Sequence, residues 1–249
     1  MYYSVSDFYK NLFGEKVYKL SIDGGCTCPN RDGTKGWDGC IFCSEGGSGE
    51  FAVRKEETCT GEKKSSEAFN CGTIQKQLEK AKSLVASKIK TGKYIAYFQN
   101  FTNTYGDFDR ITSNFLEAAE TPGIVGLAIA TRPDCLSDQM LDFLSALSER
   151  IFIQIEFGLQ TSNEKTAEFI RRCYPLEIYD DAILRIKKIA PKIHIVTHII
   201  FGLPGENERD MMNTVRHAVE QKTDGIKITV LHVLKNTDLA EIFEKEPFH

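Results

Sequence analysis

Six short segments rich in β-branched and aromatic residues alternate with helix-like segments, and this alternation limits the possible folds more than any other feature of the chain. The predicted strands cover residues 17–22, 94–99, 124–130, 152–157, 193–200 and 225–230. Strands that are apolar on both faces and separated by helices are typical of parallel β/α units. Six units predict an α/β fold, with a partial (β/α)6 barrel as the simplest architecture and a doubly wound sheet as the second.

The segments between the strands have the apolar spacing of amphipathic helices, as in Ile74, Leu78, Ala81 and Val85. These predicted helices cover residues 74–86, 108–117, 137–147, 163–170, 178–189 and 208–221.

The chain of 249 residues fits one domain of barrel size. We predict an N-terminal extension at 1–16 and a barrel at 17–249. Residues 54–71 are charged and lack both periodicities, so we expect an exposed, mobile loop there.

Composition and charge describe an ordinary globular protein, with 41% hydrophobic and 27% charged residues. No apolar run is long enough to cross a bilayer, and the first residues do not resemble a secretory signal. Eight cysteines without such a signal indicate reduced thiols, so we expect a cytoplasmic protein. The net charge of −4 provides no global attraction to nucleic acid.

Polar segments follow most of the predicted strands. They cover residues 99–105, 131–134, 156–161, 198–206 and 231–237. Because the carboxyl ends of parallel strands meet at one edge of the sheet, these segments predict a single concave site. His198 and His232 lie in them and either face this site or are satisfied histidines of the core.

Three cysteines, Cys28, Cys40 and Cys43, lie in a glycine-rich loop directly after the first strand. Three thiolates without an obvious fourth indicate a [4Fe–4S] cluster with one iron left open for a substrate or cofactor. The main alternative is structural zinc, which requires four ligands, with Cys26, His194 or His198 as the fourth. The polar strand ends favour the iron–sulfur interpretation.

These features together resemble a radical S-adenosylmethionine (SAM) enzyme, and most closely the bacterial family around YtqA and YhcC, relatives of the radical domain in the catalytic subunit of Elongator. The segments that carry the resemblance are residues 28–34, 40–43, 97–105, 131–134, 156–161, 201–205 and 231–235. They span nearly the whole chain in the expected order. The resemblance implies a radical SAM type of partial TIM-like barrel, with Cys28, Cys40 and Cys43 as the metal ligands and SAM on the fourth iron.

The resemblance also implies which residues bind SAM, whereas it assigns no catalytic side chain. Phe42 would pack near the adenine, and Arg172 would pair with the carboxylate of the methionine part. The full set of implied SAM contacts is Phe42, Gln99, Thr102, Asn103, Thr104, Arg132, Glu156, Gln160, Arg172, Gly202, Gly205 and His232. Relatives often have Asn-Arg-Gly-His where this chain has Arg171-Arg172-Cys173-Tyr174, and they continue beyond the sixth unit. We therefore expect that a natural C-terminal part is missing.

The function implied by the resemblance is reductive cleavage of SAM to a 5′-deoxyadenosyl radical. The first choice of substrate is a tRNA wobble uridine with a carboxymethylaminomethyl-type side chain. The expected partners are therefore tRNA and an electron donor such as flavodoxin or ferredoxin, without a membrane. Two alternatives stay open at this point: radical chemistry on a small metabolite or tetrapyrrole, and a non-catalytic iron–sulfur or zinc protein that binds RNA.

Overall fold

The computed structural model describes residues 3–47, 52–53, 73–88 and 92–248. Six parallel strands form one sheet in the order of the sequence, which confirms the predicted β/α architecture. The strands are β1 (Tyr18–Ile22), β2 (Tyr94–Phe98), β3 (Ile124–Thr131), β4 (Phe152–Gln160), β5 (His194–Phe201) and β6 (Gly225–Val230). The helices are α1 (Val5–Phe13), α2 (Ile74–Val85), α3 (Phe108–Glu120), α4 (Asp138–Ser148), α5 (Glu164–Phe169), α6 (Leu176–Ile189), α7 (Glu208–Glu220) and α8 (Asp238–Lys245).

The sheet is curled into a half-barrel, and three side chains show the curvature directly. Lys19 of β1 and Lys227 of β6 both lie against Glu156 of β4, although β1 and β6 are opposite edges of the sheet. In a flat sheet these edge strands would be about 24 Å apart, because neighbouring strands lie 4.7–4.9 Å apart. Their side chains can meet on one carboxylate only because the sheet curves. The partial barrel is thereby favoured over the flatter doubly wound alternative.

The main core lies between the outer face of the sheet and the surrounding helices. Leu20, Phe98, Leu127 and Ile155 of successive strands are fully buried there. Phe115 of α3 packs edge-on against Phe98, with the ring centroids 4.8 Å apart. Because helices cover this face, the strands carry apolar residues on their outer side, and these contribute to the apolar runs seen in the sequence.

Helix α1 covers the amino-terminal end of the half-barrel. Tyr9 donates a hydrogen bond of 2.9 Å to Gln154 inside the barrel, and Phe8 stacks on His194 at 4.4 Å between ring centroids. Ser4 caps the helix by accepting from the Asp7 backbone N–H. This helix lies within residues 1–16, for which the sequence predicted an extension and no secondary structure. The barrel therefore opens at the other end, where the carboxyl ends of the strands lie.

Strand β6 is the last strand described, and its side chains from Lys227 to Val230 are exposed. The half-barrel is thus accessible along this edge in the described part of the chain. The predicted loop at 54–71 lies outside the described residues. The division into 1–16 and 17–249 and the missing C-terminal part also stay predictions. In the described ranges, no helix has the length and apolar character that crossing a membrane demands.

Candidate functional site

A cavity of about 390 Å³ lies at the carboxyl ends of the strands. One wall is the cysteine loop, and the others come from the ends of β2 to β6 and the segments after them. Most of the site residues expected from the sequence line this cavity: Cys28, Cys40, Phe42, Cys43, Gln99, Thr102, Arg132, Glu156, Gln160, Arg172 and His232. Asn103, Thr104, Gly202 and Gly205 are not among the lining residues.

The cysteine loop is held in a compact form by its own backbone. The Cys43 N–H donates to the Cys40 carbonyl at 2.9 Å, and the Arg31 N–H donates to the Cys28 carbonyl at 2.8 Å. The Arg31 guanidinium returns to the Cys43 carbonyl at 3.0 Å. Gly39 has φ +76°, and a Cβ there would lie 2.8 Å from the Arg31 Nε, so the turn requires glycine. These contacts bring the three cysteines of the loop onto one wall of the cavity.

The loop is also docked on the rest of the fold next to its cysteines. Ile41 is buried with Ile170, Leu203 and Leu239, so it joins the loop to the end of α5 and to α8. Its N–H donates to the Ile170 carbonyl and its carbonyl accepts from the Leu239 N–H. The loop is therefore positioned by packing on both sides, which leaves the thiols to face the cavity.

The three thiols form a donor set that suits a metal cluster. Burial, reinforced by the neighbouring Cys43 and Cys28, raises the pKa of the Cys40 thiol to about 12. A bound cation would stabilise the thiolate forms and so offset the cost of burying their negative charge. Across the ranges that the structure describes, no three His, Cys, Asp or Glu side chains converge on one ion. Three thiols on one wall of the cavity fit a cluster, in which each thiolate binds its own iron. Cys26 instead packs into the main hydrophobic core.

Four residues around the cavity have left-handed backbone conformations although they are not glycine. Phe101, Gln160, Arg171 and Cys173 have φ between 57° and 64°. Such conformations cost about 1–3 kcal/mol each and tend to cluster at functional sites. At Gln160 the strand β4 ends with an irregular register against β5. This places the Gln160 side chain in the cavity, three residues beyond the predicted end of the strand.

The segment after β2 divides its side chains between the cavity and the scaffold. Gln99 and Thr102 line the cavity. Asn103 is buried and donates to the carbonyls of Phe98, Asn100 and Ala130. Thr104 lies 2.6 Å from Thr131 Oγ1 and donates to the Cys135 carbonyl. The side chains of Asn103 and Thr104 therefore hold neighbouring backbone segments, and their assignment as SAM contacts stays a prediction.

The two arginines assigned to SAM both have protein partners. Arg132 pairs with Asp134 through two hydrogen bonds of 2.9 Å, and its guanidinium lies over the Tyr174 ring. Arg172 is buried and donates to the carbonyls of Tyr174 and Thr161. The Arg172 Nη2 also pairs with Glu164 at 2.8 Å. Arg172 thereby ties the end of β4 to the segment after α5.

The remaining predicted residues lie at the ends of β5 and β6. Gly202 and Gly205 have φ of +83° and +82°, and a Cβ added to either would meet nothing within 4 Å. Glycine suits these two positions because of the backbone turn after β5. His232 lines the cavity and is exposed.

Glu156 is the acidic side chain among the described lining residues, and several polar groups contact it. Its buried carboxylate accepts from Tyr97 at 2.8 Å and Gln154 at 2.6 Å, lies 2.6 Å from the His198 Nε2, and pairs with Lys19. Burial alone would raise the pKa of Glu156, but the His198 hydrogen bond and the Lys19 charge hold it well below the ordinary value. Burial lowers the pKa of His198, which is therefore neutral near pH 7.

Comparison with known families decides what kind of site this is. The sequence model of the radical SAM superfamily matches residues 27–218, which include the three cysteines and β2 to β5. The chain belongs to the radical SAM superfamily. It is thus an enzyme of this class, and a [4Fe–4S] cluster and SAM are its cofactors.

Relatives of known sequence narrow the position of this radical SAM enzyme within the superfamily. It is 38% identical to YtqA of Bacillus subtilis over 244 residues, covering 98% of this chain and 70% of the relative. It is 34% identical to YhcC of Escherichia coli over 235 residues, covering 93% of this chain and 69% of the relative. The resemblance to the YtqA and YhcC family is confirmed.

Two further matches are shorter or more distant. A tRNA-2-methylthio-N(6)-dimethylallyladenosine synthase of Chloroflexus aurantiacus is 30% identical over 131 residues, 52% of this chain and 28% of the synthase. Among solved structures, an archaeal Elp3 of Methanocaldococcus infernus has a TM-score of 0.58 at 16% identity. That match covers 71% of this chain and 46% of the Elp3 chain, so the matched part is about half the length of Elp3.

The sequence analysis assigned no site role to three residues that contact Glu156: Lys19, Tyr97 and Lys227. Each lies inside a strand, and Tyr97 and Lys227 line the cavity. A signal was present, because Lys19 and Lys227 are single charges within otherwise uncharged strands. Period-two alternation would have placed them on the inner face.

Proposed function

We propose that this radical SAM enzyme remodels a carboxymethylaminomethyl-type side chain on a tRNA wobble uridine, in the cytoplasm. The observation that carries the proposal is a cavity with three thiols on one wall, at the carboxyl ends of the strands. A cavity at the end of a half-barrel can admit one nucleotide while the rest of a large substrate stays outside. The name of the matching Chloroflexus synthase, which refers to a modified tRNA base, supports this substrate class.

The residues of the chain would bind and orient the reactants. Cys28, Cys40 and Cys43 would hold the cluster, and Phe42 and Gln160 would position SAM beside it. When bound and reduced by a donor such as flavodoxin or ferredoxin, the cluster and SAM supply a 5′-deoxyadenosyl radical that abstracts a hydrogen atom. The covered amino-terminal end of the barrel would limit access of water to this site.

The assignment of Gln160 makes a prediction about SAM cleavage. Gln160→Ala should lower the rate of 5′-deoxyadenosine formation by about tenfold or more, because a side chain that orients SAM is lost. Iron content should not change, since Gln160 lies on β4 and not in the cysteine loop. The measurement is 5′-deoxyadenosine released under dithionite, together with iron per chain.

The matched control for this prediction is Gln75→Ala, which changes an exposed glutamine of α2. It should leave both measurements unchanged. Loss of iron from Gln160→Ala, or an unchanged rate of cleavage, would contradict the assignment of Gln160 to SAM.

The tRNA substrate is tested by comparing nucleosides from a strain without the gene and its parent. We expect the carboxymethylaminomethyl-type nucleoside to accumulate in the deletion strain and its remodelled product to disappear. Complementation with the intact gene should restore the product, whereas a gene with Cys40→Ala should not. Identical nucleosides in both strains would direct the search to a small-molecule substrate.

A further inference from the structure

Two lysines and one buried carboxylate meet on the inner face of the half-barrel. We define the cavity floor as Lys19, Tyr97, Glu156, His198 and Lys227, which contact one another around the Glu156 carboxylate. Two lysines face one carboxylate. Since burial lowers the pKa of His198, this histidine adds no charge near pH 7. The cavity floor therefore carries about one unbalanced positive charge.

The two lysines of the cavity floor differ in their surroundings. Lys19 pairs with Glu156 and is not among the cavity-lining residues. Lys227 lines the cavity, and its side chain keeps 43% of its accessible surface. The Lys227 Nζ lies 3.5 Å from Glu156 and donates to the Tyr97 hydroxyl at 3.2 Å. Lys19 thus neutralises Glu156, and the unbalanced charge is on Lys227.

The neighbours of Lys227 add hydrogen-bonding capacity on the same side of the cavity. Thr229 and His232 follow it along the chain and also line the cavity. An ammonium has three N–H donors; the Lys227 ammonium donates one to Tyr97 and lies 3.5 Å from Glu156, so at least one N–H is left for a ligand. A partly desolvated ammonium with donors available favours an anion over a neutral group, because charge-assisted hydrogen bonds are stronger than neutral ones.

We infer that the cavity floor is an anion-binding site in which Lys227 binds a carboxylate of the substrate. This inference rests on the proposed function, because the proposed side chain ends in a carboxylate. It adds that the enzyme selects its substrate by this charge. Lys227 would then be a specificity residue that holds the acidic end of the side chain.

Equilibrium binding to the unreduced holoenzyme tests the inference without turnover. The probes are the nucleosides 5-carboxymethylaminomethyluridine and 5-aminomethyluridine, of which only the first has a carboxylate. We expect the wild type to bind the first about ten- to a hundredfold more tightly. Lys227→Met should remove this preference and Lys227→Arg should keep it. Lys192→Met, which changes an exposed lysine paired with Glu149, is the matched control and should keep it as well.

The thermal unfolding of Lys227→Met separates a binding role from a structural one. Removing an unbalanced charge should leave the midpoint of unfolding equal or higher, because Lys19 still neutralises Glu156. A clearly lower midpoint would make Lys227 a structural partner of Glu156 and overturn the inference. A preference for the carboxylated nucleoside that survives in Lys227→Met would overturn it too.

A second pair of probes distinguishes this inference from the proposed function. If neither nucleoside binds the wild type, the uridine substrate is contradicted, and acetate and acetamide then test the site alone. Acetate should raise the unfolding midpoint of the wild type and not of Lys227→Met, and acetamide should affect neither. The same acetate effect in both proteins, or none in either, would overturn the anion site. Stabilisation by inorganic phosphate alone would overturn the choice of a carboxylate.

Discussion

Replacing Cys28, Cys40 or Cys43 by alanine should abolish the iron–sulfur cluster. All three cysteines line one wall of the cavity, and we propose that they bind three irons and leave the fourth for SAM. With only two thiolates, the cluster would lose one of its three bonds to the protein. We expect about four irons per chain in the reconstituted wild type and almost none in each variant. Formation of 5′-deoxyadenosine should fall to background at the same time.

Two other cysteines serve as controls for this result. Cys26 is buried in the main core, and Cys173 is exposed and does not line the cavity. Cys26→Ala and Cys173→Ala should both keep iron and the broad iron–sulfur absorption. Stoichiometric zinc without that absorption, or loss of iron from Cys26→Ala, would contradict the assigned ligands.

Glu156→Gln should destabilise the fold by about 3–5 kcal/mol at pH 7. The change keeps the size of the side chain but leaves Lys19 without its counter-charge in a site where both side chains are largely buried. Urea unfolding of the cluster-free chain measures the loss. Adding Lys19→Met should recover part of the stability, because the buried cation is then removed as well. The matched control Glu149→Gln breaks an exposed ion pair and should cost at most about 1 kcal/mol.

The same carboxylate should make stability depend on pH. The pKa of Glu156 is lower in the folded chain than its ordinary value of 4.5, through His198 and Lys19. Its contribution is therefore complete above about pH 5 and is lost as the pH falls through the folded value. Folding also lowers the pKa of His198 from its ordinary value of 6.5, so this residue too makes the fold less stable as the pH falls below that value. Between about pH 5 and pH 3 the wild type should lose more stability than Glu156→Gln. Parallel losses would show that Glu156 is not held ionised.

Much of the architecture could be predicted from the sequence because the signals were local. The periodicity and length of the apolar runs were enough to recognise β1 to β6. The order of the strands in the sheet followed from the helices that connect them. The cysteine loop was recognisable by the spacing of its cysteines and by its glycines. Gly39, for example, has a positive φ that would be strained for a residue with a side chain. Strand ends were less predictable, as β4 shows by extending to Gln160.

The contents of the cavity depended on contacts between distant parts of the chain. Lys19 and Lys227 are 208 positions apart in the numbering, yet both lie against Glu156 because the sheet curls. Asn103 and Thr104 belong to a motif that the sequence assigned to SAM, whereas their side chains hydrogen-bond to the scaffold. A one-dimensional pattern shows which faces of a strand are apolar. Only the tertiary structure decides which polar groups meet, because the low-dielectric interior stabilises buried charges when they are paired in space.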